Sequence, residues 1–224
     1  MSEKQRSYWE LTGLVLTGFF HIVIEQISIY LNYSGPRLYG PDYIYNMMAV
    51  VAWVGYVTYR TKKDRTLWKQ WGFRLDNIKP AALWSLGFAV IAGCLLGGYG
   101  YVIKGYRYPF LSLMVIFSLY PLWGLAQQFA LQVFANRNLR TVGLYTGVRI
   151  LFVACLFSIS HFPNYPLMGL VFLLGLFATV LYDRYPNFWV LSVLHGFLGG
   201  MAYFFILGED PAAPIIAALS RFFG

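Results

Sequence analysis

Long apolar runs, separated by short polar or proline-containing segments, recur along the whole chain. A helix needs about 20 predominantly apolar residues to cross a bilayer, and several of the runs reach or approach that length. The pattern predicts an all-α, polytopic transmembrane helical bundle with about seven spans, forming a single integral membrane domain over residues 1–224. The predicted spans are Leu11–Tyr30, Tyr43–Tyr59, Ala81–Val102, Pro109–Phe134, Gly147–His161, Leu167–Tyr182 and Phe188–Leu207.

Turn-forming residues separate these spans. Ser34-Gly35-Pro36, Pro80, Pro163 and Pro186 all lie between predicted helices, where glycine and proline commonly mark loops. Beyond the last span, residues Pro211–Gly224 are apolar enough to form a short extra helix at the membrane interface.

Composition and charge support a membrane protein. Only 12% of the residues are charged, about half the fraction found in soluble domains. A formal charge of +8 could suggest nucleic acid, but thirteen of the 17 basic residues fall in alternate, predicted inner segments. This asymmetry follows the positive-inside rule and predicts a cytoplasmic N-terminus. The expected location is a bacterial or archaeal inner membrane, with the lipid bilayer and not nucleic acid as the partner.

Three glutamines lie inside an apolar run, in the segment PLWGLAQQFALQVF that begins at Pro121. A carboxamide buried in hydrocarbon costs free energy unless it finds hydrogen-bond partners. Gln128 and Gln132 are four residues apart and share a helix face, so they could form a ladder of carboxamides. Gln127 is adjacent to Gln128. Gln127 and Gln128 are expected to line one polar cavity inside the bundle together with His161 and His195, with Gln132 in support.

All three histidines of the chain, His21, His161 and His195, lie in or at the ends of predicted spans. Ionisable residues at membrane depth are expensive and are candidates for function. Histidine serves both as a general base and as a metal ligand. Of the acidic residues, only Glu25 falls well inside a predicted span, and it shares a helix face with His21.

Several known intramembrane chemistries are excluded by the sequence. It contains no H-E-x-x-H zinc-protease motif and no G-x-S-x-G serine elbow. A pair of facing aspartates is not expected either, since Asp183 lies at the end of its span without an apparent counterpart. No cofactor and no metal site are predicted.

The order of features from Pro121 to Tyr203 resembles the family of CAAX proteases and bacteriocin-processing enzymes, also called CPBP or Abi intramembrane proteases. Phe157-Ser-Ile-Ser-His161 matches the family's second motif, phenylalanine and histidine four positions apart. Leu194-His195 begins its third motif. Gln128 and His161 are 33 positions apart, and His161 and His195 are 34 positions apart, as in the family. The resemblance implies a protease-like core over residues 109–207.

The chain departs from the family at four of the motif positions. Where the family carries two glutamates, this chain has Gln127 and Gln128; its arginine position is Gln132, and its late asparagine position is Gly199. In the family, a glutamate oriented by histidines activates water for attack on a peptide bond. A carboxamide cannot take that proton usefully. The substitutions together describe a neutral site, since an arginine without its glutamates would be an uncompensated buried cation.

Three functions remain open from the sequence. The chain could be an endopeptidase that uses another carboxylate, a pseudoprotease that binds a membrane peptide, lipid or partner helix, or another enzyme acting on a lipid or isoprenoid substrate. A prenylated substrate is compatible with the resemblance. The candidate catalytic residues are His161, His195, Gln127, Gln128 and Glu25, and the candidate binding residues are Gln132, Phe157, His21 and Asn164.

Overall fold

The structure, a computed structural model, describes residues 1–31 and 40–223. The predicted break at Ser34-Gly35-Pro36 lies outside these residues. The described part is helical, and its helices are α1 (Glu3–Tyr30), α2 (Pro41–Lys63), α3 (Leu67–Trp71), α4 (Ile78–Gly98), α5 (Phe110–Phe129), α6 (Asn138–Thr141), α7 (Thr146–Ile159), α8 (Tyr165–Arg184), α9 (Phe188–Ala202) and α10 (Ala213–Phe223).

Three of the helices continue as π-helix. Tyr99–Ile103 extends α4, Ala130–Arg137 joins α5 to α6 without a break, and Tyr203–Leu207 extends α9. Such segments are rare and often lie at functional sites. The one after α5 carries two of the polar residues described below.

The all-α membrane bundle predicted from the sequence is confirmed, whereas the count of seven spans is not. Five helices of the described residues are long and apolar enough to cross a membrane. The predicted spans at Tyr43–Tyr59 and Gly147–His161 correspond to α2 and α7, which are not among those five. α7 has only 14 residues. The short terminal helix expected beyond Pro211 is present as α10.

The centre of the bundle is the close packing of α5 against α9. Small residues let the two backbones approach, as is common between membrane helices. A Cβ added at Gly196 would lie 2.6 Å from the ring and backbone nitrogen of Pro121, and one at Gly200 would lie 2.8 Å from Phe117. α7 packs on α8, and α4 covers another side of α9.

α1 begins eight residues before the predicted Leu11, so Glu10 lies within the helix and is buried. Its carboxylate accepts hydrogen bonds from Tyr56 and Arg60 of α2. It also accepts one of 2.7 Å from Asn138 Nδ2. These contacts attach α1 to both α2 and α6. The predicted span starts at Leu11, so the prediction does not include Glu10, whereas α1 begins earlier and buries this residue.

The segment around α3 is held against the turn between α8 and α9. Gly72 has φ +105°, a conformation that favours glycine, and a Cβ there would lie 3.2 Å from the carbonyl oxygen of Pro186. Asn187 Nδ2 donates to the carbonyl of Arg74 at 2.8 Å.

Candidate functional site

Polar side chains recur at every fourth position where α5 passes into its π-helical continuation. Gln128 lies in the last turn of α5, and Gln132 and Asn136 lie in the π-helix. Residues four apart stack along one helix face. Gln132 Nε2 donates to Gln128 Oε1 at 3.2 Å, and Asn136 Nδ2 donates to Gln132 Oε1 at 3.2 Å. The ladder proposed from the glutamine spacing is therefore formed, and it is one residue longer than expected.

One end of this ladder reaches the third-motif histidine. Gln128 Nε2 is 3.1 Å from His195 Nδ1 of α9. One turn before Gln128 on α5 is Gly124, where an added Cβ would lie 3.0 Å from His195 Cβ. A larger residue at this position would push the two helices apart. The absence of a side chain at Gly124 thus lets α9 bring His195 against Gln128.

The other end of the ladder meets an ion pair. Asn136 Nδ2 also donates to Asp183 Oδ1 at 3.0 Å, and Asn136 Oδ1 accepts from Arg149. Arg149 of α7 binds Asp183 of α8 through two contacts, Nη1 to Oδ1 at 3.1 Å and Nη2 to Oδ2 at 2.7 Å. The partner of Asp183 is thus an arginine on a neighbouring helix, 34 residues away in sequence, and not a second aspartate.

These six residues form the buried polar network: His195, Gln128, Gln132, Asn136, Asp183 and Arg149. Gln128 and Gln132 are fully buried, and His195 is 4% exposed. Thr179 of α8 accepts the second N–H of Gln132 at 3.3 Å. Buried polar groups are stable when their hydrogen bonds are made. The network therefore explains how an apolar helix can hold these carboxamides.

A polar opening adjoins the ion-pair end of the network. A cavity of about 390 Å³ is lined there by side chains that include Asn136, Asp183, Arg137, Arg140 and Tyr182. Asp183 keeps 16% of its side chain exposed, whereas Arg149 keeps 2%. The network thus runs from this opening towards the centre of the bundle.

His161 lies in the turn just after α7 and does not hydrogen-bond to the network within the described residues. Its Nδ1 is 2.9 Å from the carbonyl oxygen of Phe157 and 3.2 Å from Ser160 Oγ. A carbonyl oxygen only accepts, so Nδ1 of neutral His161 carries the proton and Nε2 carries the lone pair. The ring of Phe157 lies 5.1 Å from that of His161 and 5.5 Å from that of His195, centroid to centroid. Phe157 therefore packs between the two motif histidines.

Gln127 points to different surroundings from its neighbour. It lines an apolar cavity of about 460 Å³, together with residues of α1, α2 and α5 and its continuation that include Leu14, Trp53, Ala126 and Phe134. Successive residues on a helix point in directions about 100° apart. The structure thus does not bring Gln127 into the buried polar network, although the sequence predicts one cavity for both glutamines.

His21 and Glu25 form a pair within α1. His21 Nε2 is 3.8 Å from Glu25 Oε2, and both side chains are partly exposed. His21 Nδ1 is buried and has no hydrogen-bond partner among the described residues. Within the same residues, no hydrogen bond joins either side chain to the network. The remaining candidate, Asn164, caps α8 by accepting from the backbone N–H of Leu167 at 3.1 Å.

Gly199, at the late asparagine position of the resemblance, lies where α9 packs closely against α5. A Cβ added at Gly199 would overlap Cε1 of Tyr120 on α5. Real Cβ atoms do not come so close to a ring carbon, so the ring of Tyr120 takes the space that a longer side chain at this position would fill.

Sequence reasoning missed Asn136, Arg149, Thr179 and Asp183. The spacing of four that links Gln128 to Gln132 also reaches Asn136, so this residue could have been found. The other three come from α7 and α8, and no local pattern connects them to α5. Among the described residues, no group of three His, Cys, Asp or Glu side chains is arranged to hold a metal ion.

A family model described as type II CAAX prenyl endopeptidase Rce1-like matches residues 67–201. The chain belongs to this family. The match extends from α3 to α9 and contains the whole buried polar network, so the resemblance to CAAX proteases is confirmed. Family and apolar helices together identify an integral membrane protein of the CAAX protease type. No curated protein and no solved structure matches the chain.

Proposed function

We propose that this Rce1-like protein binds a prenyl-bearing peptide within the membrane and does not hydrolyse it. The observation that carries the proposal is the state of Gln128. Its carboxamide is fully buried and bonded on both sides, to His195 and to Gln132. A neutral carboxamide is not a useful base for a proton from water, and these contacts hold this one in place within the bundle.

The surroundings of the histidines support the same proposal. Within the described residues, His161 and His195 hydrogen-bond only to a carbonyl, a hydroxyl and a carboxamide. Neither hydrogen-bonds to a carboxylate in that part of the chain. These histidines therefore lack the carboxylate base of the family's glutamate mechanism. Losing a general base costs about 10²–10⁴ in rate.

The apolar cavity supplies a place for the prenyl group. Its volume of about 460 Å³ falls within the range of small-molecule sites. Its walls are mainly aliphatic and aromatic, and Gln127 is one of its few polar residues. An apolar chain could lie against these walls while the carboxamide of Gln127 bonds to the peptide to which the chain is attached.

The test is the binding of a fluorescent farnesylated peptide to the full chain in lipid nanodiscs. Ala126→Trp would fill the cavity, and we expect it to weaken binding about tenfold or more, which corresponds to roughly 1.4 kcal/mol. Leu119→Trp is the matched control, since Leu119 is exposed on the same helix and does not line the cavity. Equal binding by both variants, or cleavage of the peptide by the parent, would contradict the proposal.

A second candidate function is peptide hydrolysis with Glu25 as the base. It is favoured by the His21–Glu25 pair, in which a carboxylate lies beside an imidazole within a membrane helix. A carboxylate can accept a proton from water. Mass spectrometry of the same peptide would reveal cleavage, and this function requires that Glu25→Gln abolish the cleavage while Glu3→Gln retains it.

A further inference from the structure

The buried polar network ends in two groups whose hydrogen-bonding roles are fixed. The guanidinium of Arg149 can only donate, and the ionised carboxylate of Asp183 can only accept. Both contact the side chain of Asn136. The amide of Asn136 must therefore present its oxygen to Arg149 and its nitrogen to Asp183. In the reverse orientation its N–H groups would face the N–H donors of Arg149, and its oxygen would face the carboxylate of Asp183.

This orientation is passed along the ladder. Asn136 Nδ2 has one N–H for Asp183 and one for Gln132, so Gln132 must present Oε1 to Asn136. Its Nε2 is then directed at Gln128 and at Thr179. The hydroxyl of Thr179 can donate or accept and sets no direction by itself. Gln128 must in turn present Oε1 to Gln132, since two amide nitrogens facing each other would both donate.

The last step reaches the imidazole. Gln128 Nε2 is left facing His195 Nδ1 at 3.1 Å. A proton on Nδ1 would place two donors against each other, so Nδ1 must carry the lone pair. We infer that the Arg149–Asp183 pair, acting through Asn136, Gln132 and Gln128, holds His195 as the neutral tautomer protonated at Nε2.

Arg149 and Asp183 are therefore positioning residues for His195, although neither touches it. The two motif histidines are then different tautomers, because the hydrogen bond to the Phe157 carbonyl requires the proton of His161 to be on Nδ1. His161 has a basic Nε2, whereas His195 has a donor at Nε2. The second nitrogen of a histidine is commonly set by the bond that the first one makes. Here the determining charge lies several side chains away.

The inference does not rest on the proposed function, because its test needs neither ligand nor substrate. Solid-state NMR of the full chain in lipid bilayers, labelled with ¹⁵N and ¹³C in histidine, reads the protonation of each ring nitrogen. The chain has three histidines, so His21→Gln and His161→Gln assign the signals. We expect a single form of His195 with Nε2 protonated. A proton on Nδ1 would overturn the inference.

Asn136→Leu separates the ion pair from the ladder. The direct contacts between Arg149 and Asp183 remain available in this variant, so the helices keep their attachment. With its direction no longer imposed, the ladder can turn over, and we expect both tautomers of His195 in comparable amounts. Retention of the single Nε2-protonated form would show that the ion pair does not set it.

A double variant tests the same point in a protein that keeps its fold. Arg149→Met/Asp183→Leu replaces the ion pair by apolar side chains, a change that buried pairs often tolerate. It should likewise give both tautomers of His195. Thr179→Val is the matched control, since it removes a contact of Gln132 but leaves both ends of the network intact. It should keep the single tautomer, and a mixture in this control would contradict the assignment to the ion pair.

Discussion

The ring of Tyr120 on α5 fills the space into which a side chain at Gly199 on α9 would project, and an added Cβ would overlap its Cε1. A longer side chain at this position therefore does not fit unless the aromatic ring moves. The glycine at position 199 and the close packing of the two helices are one structural fact.

Gly199→Ala is expected to lower the thermal midpoint of the protein. Adding a methyl group to a well-packed position costs about 1–3 kcal/mol. The matched control is Gly169→Ala, because a Cβ at Gly169 meets nothing within 4 Å. Thermal unfolding in detergent, monitored by circular dichroism, compares the two, and equal midpoints would contradict the predicted clash.

Tyr120→Ala should make the change at Gly199 less harmful. If the ring is the obstacle, the double variant Tyr120→Ala/Gly199→Ala will lose less stability than the two single variants predict together. Residues in contact show coupling energies of about 0.5–3 kcal/mol. Strict additivity in the double-mutant cycle would argue against a direct contact.

The two adjacent glutamines should respond very differently to replacement by leucine. Gln128→Leu leaves His195 Nδ1 and an N–H of Gln132 without partners, and each buried unpaired group costs about 1–3 kcal/mol. Gln127→Leu changes only the wall of an apolar cavity and should leave the midpoint nearly unchanged. The same unfolding measurement tests both, and a larger effect at Gln127 would exclude the structural role given to Gln128.

Removing one member of the buried ion pair should be severe. Arg149→Met leaves Asp183 and Asn136 without their charged donor, and breaking a buried pair in this way costs about 3–5 kcal/mol. Arg74, which pairs with Asp76 on the exposed side of the molecule, provides the comparison. Exposed pairs contribute little, so Arg74→Met should unfold at the temperature of the parent. A mild effect of Arg149→Met would mean that the network is not needed for stability.

The attachment of α1 depends on Glu10. Glu10→Gln removes the negative charge facing Arg60, and the arginine would then be a partly buried cation without a counter-charge. We expect a loss of about 3 kcal/mol and faster proteolysis within α1. Glu3→Gln, at an exposed position of the same helix, should be as resistant to protease as the parent.

The architecture can be predicted because the length of an apolar run is a direct measure of what it can cross. The two predicted spans that are not confirmed are apolar runs whose length or hydropathy is marginal for crossing a membrane. α7 has 14 residues, and α2 is not apolar enough over the length of a span, so neither run gives a clear membrane span. The predicted span begins after Glu10 because that residue is polar, and only its contacts with other helices show why α1 buries it.

The candidate site is predictable in part for a similar reason. Gln128 and Gln132 can be connected because they share a helix face, and His195 can be connected through the family resemblance. The contact between Asp183 and Arg149 depends on how α7 and α8 pack. Gln127 and Gln128 are adjacent in sequence, yet their surroundings differ, and only the packing of the neighbouring helices reveals this.

The wall of the apolar cavity comes from two parts of the chain, one inside the family match and one before it. Much of its wall comes from α1 and α2, through residues such as Leu14 and Trp53, whereas the family match begins at residue 67. The buried polar network belongs entirely to the matched part. A substitution in α1 or α2 can therefore change the wall of this cavity without replacing any residue of the buried polar network, so the two regions of the chain can vary separately.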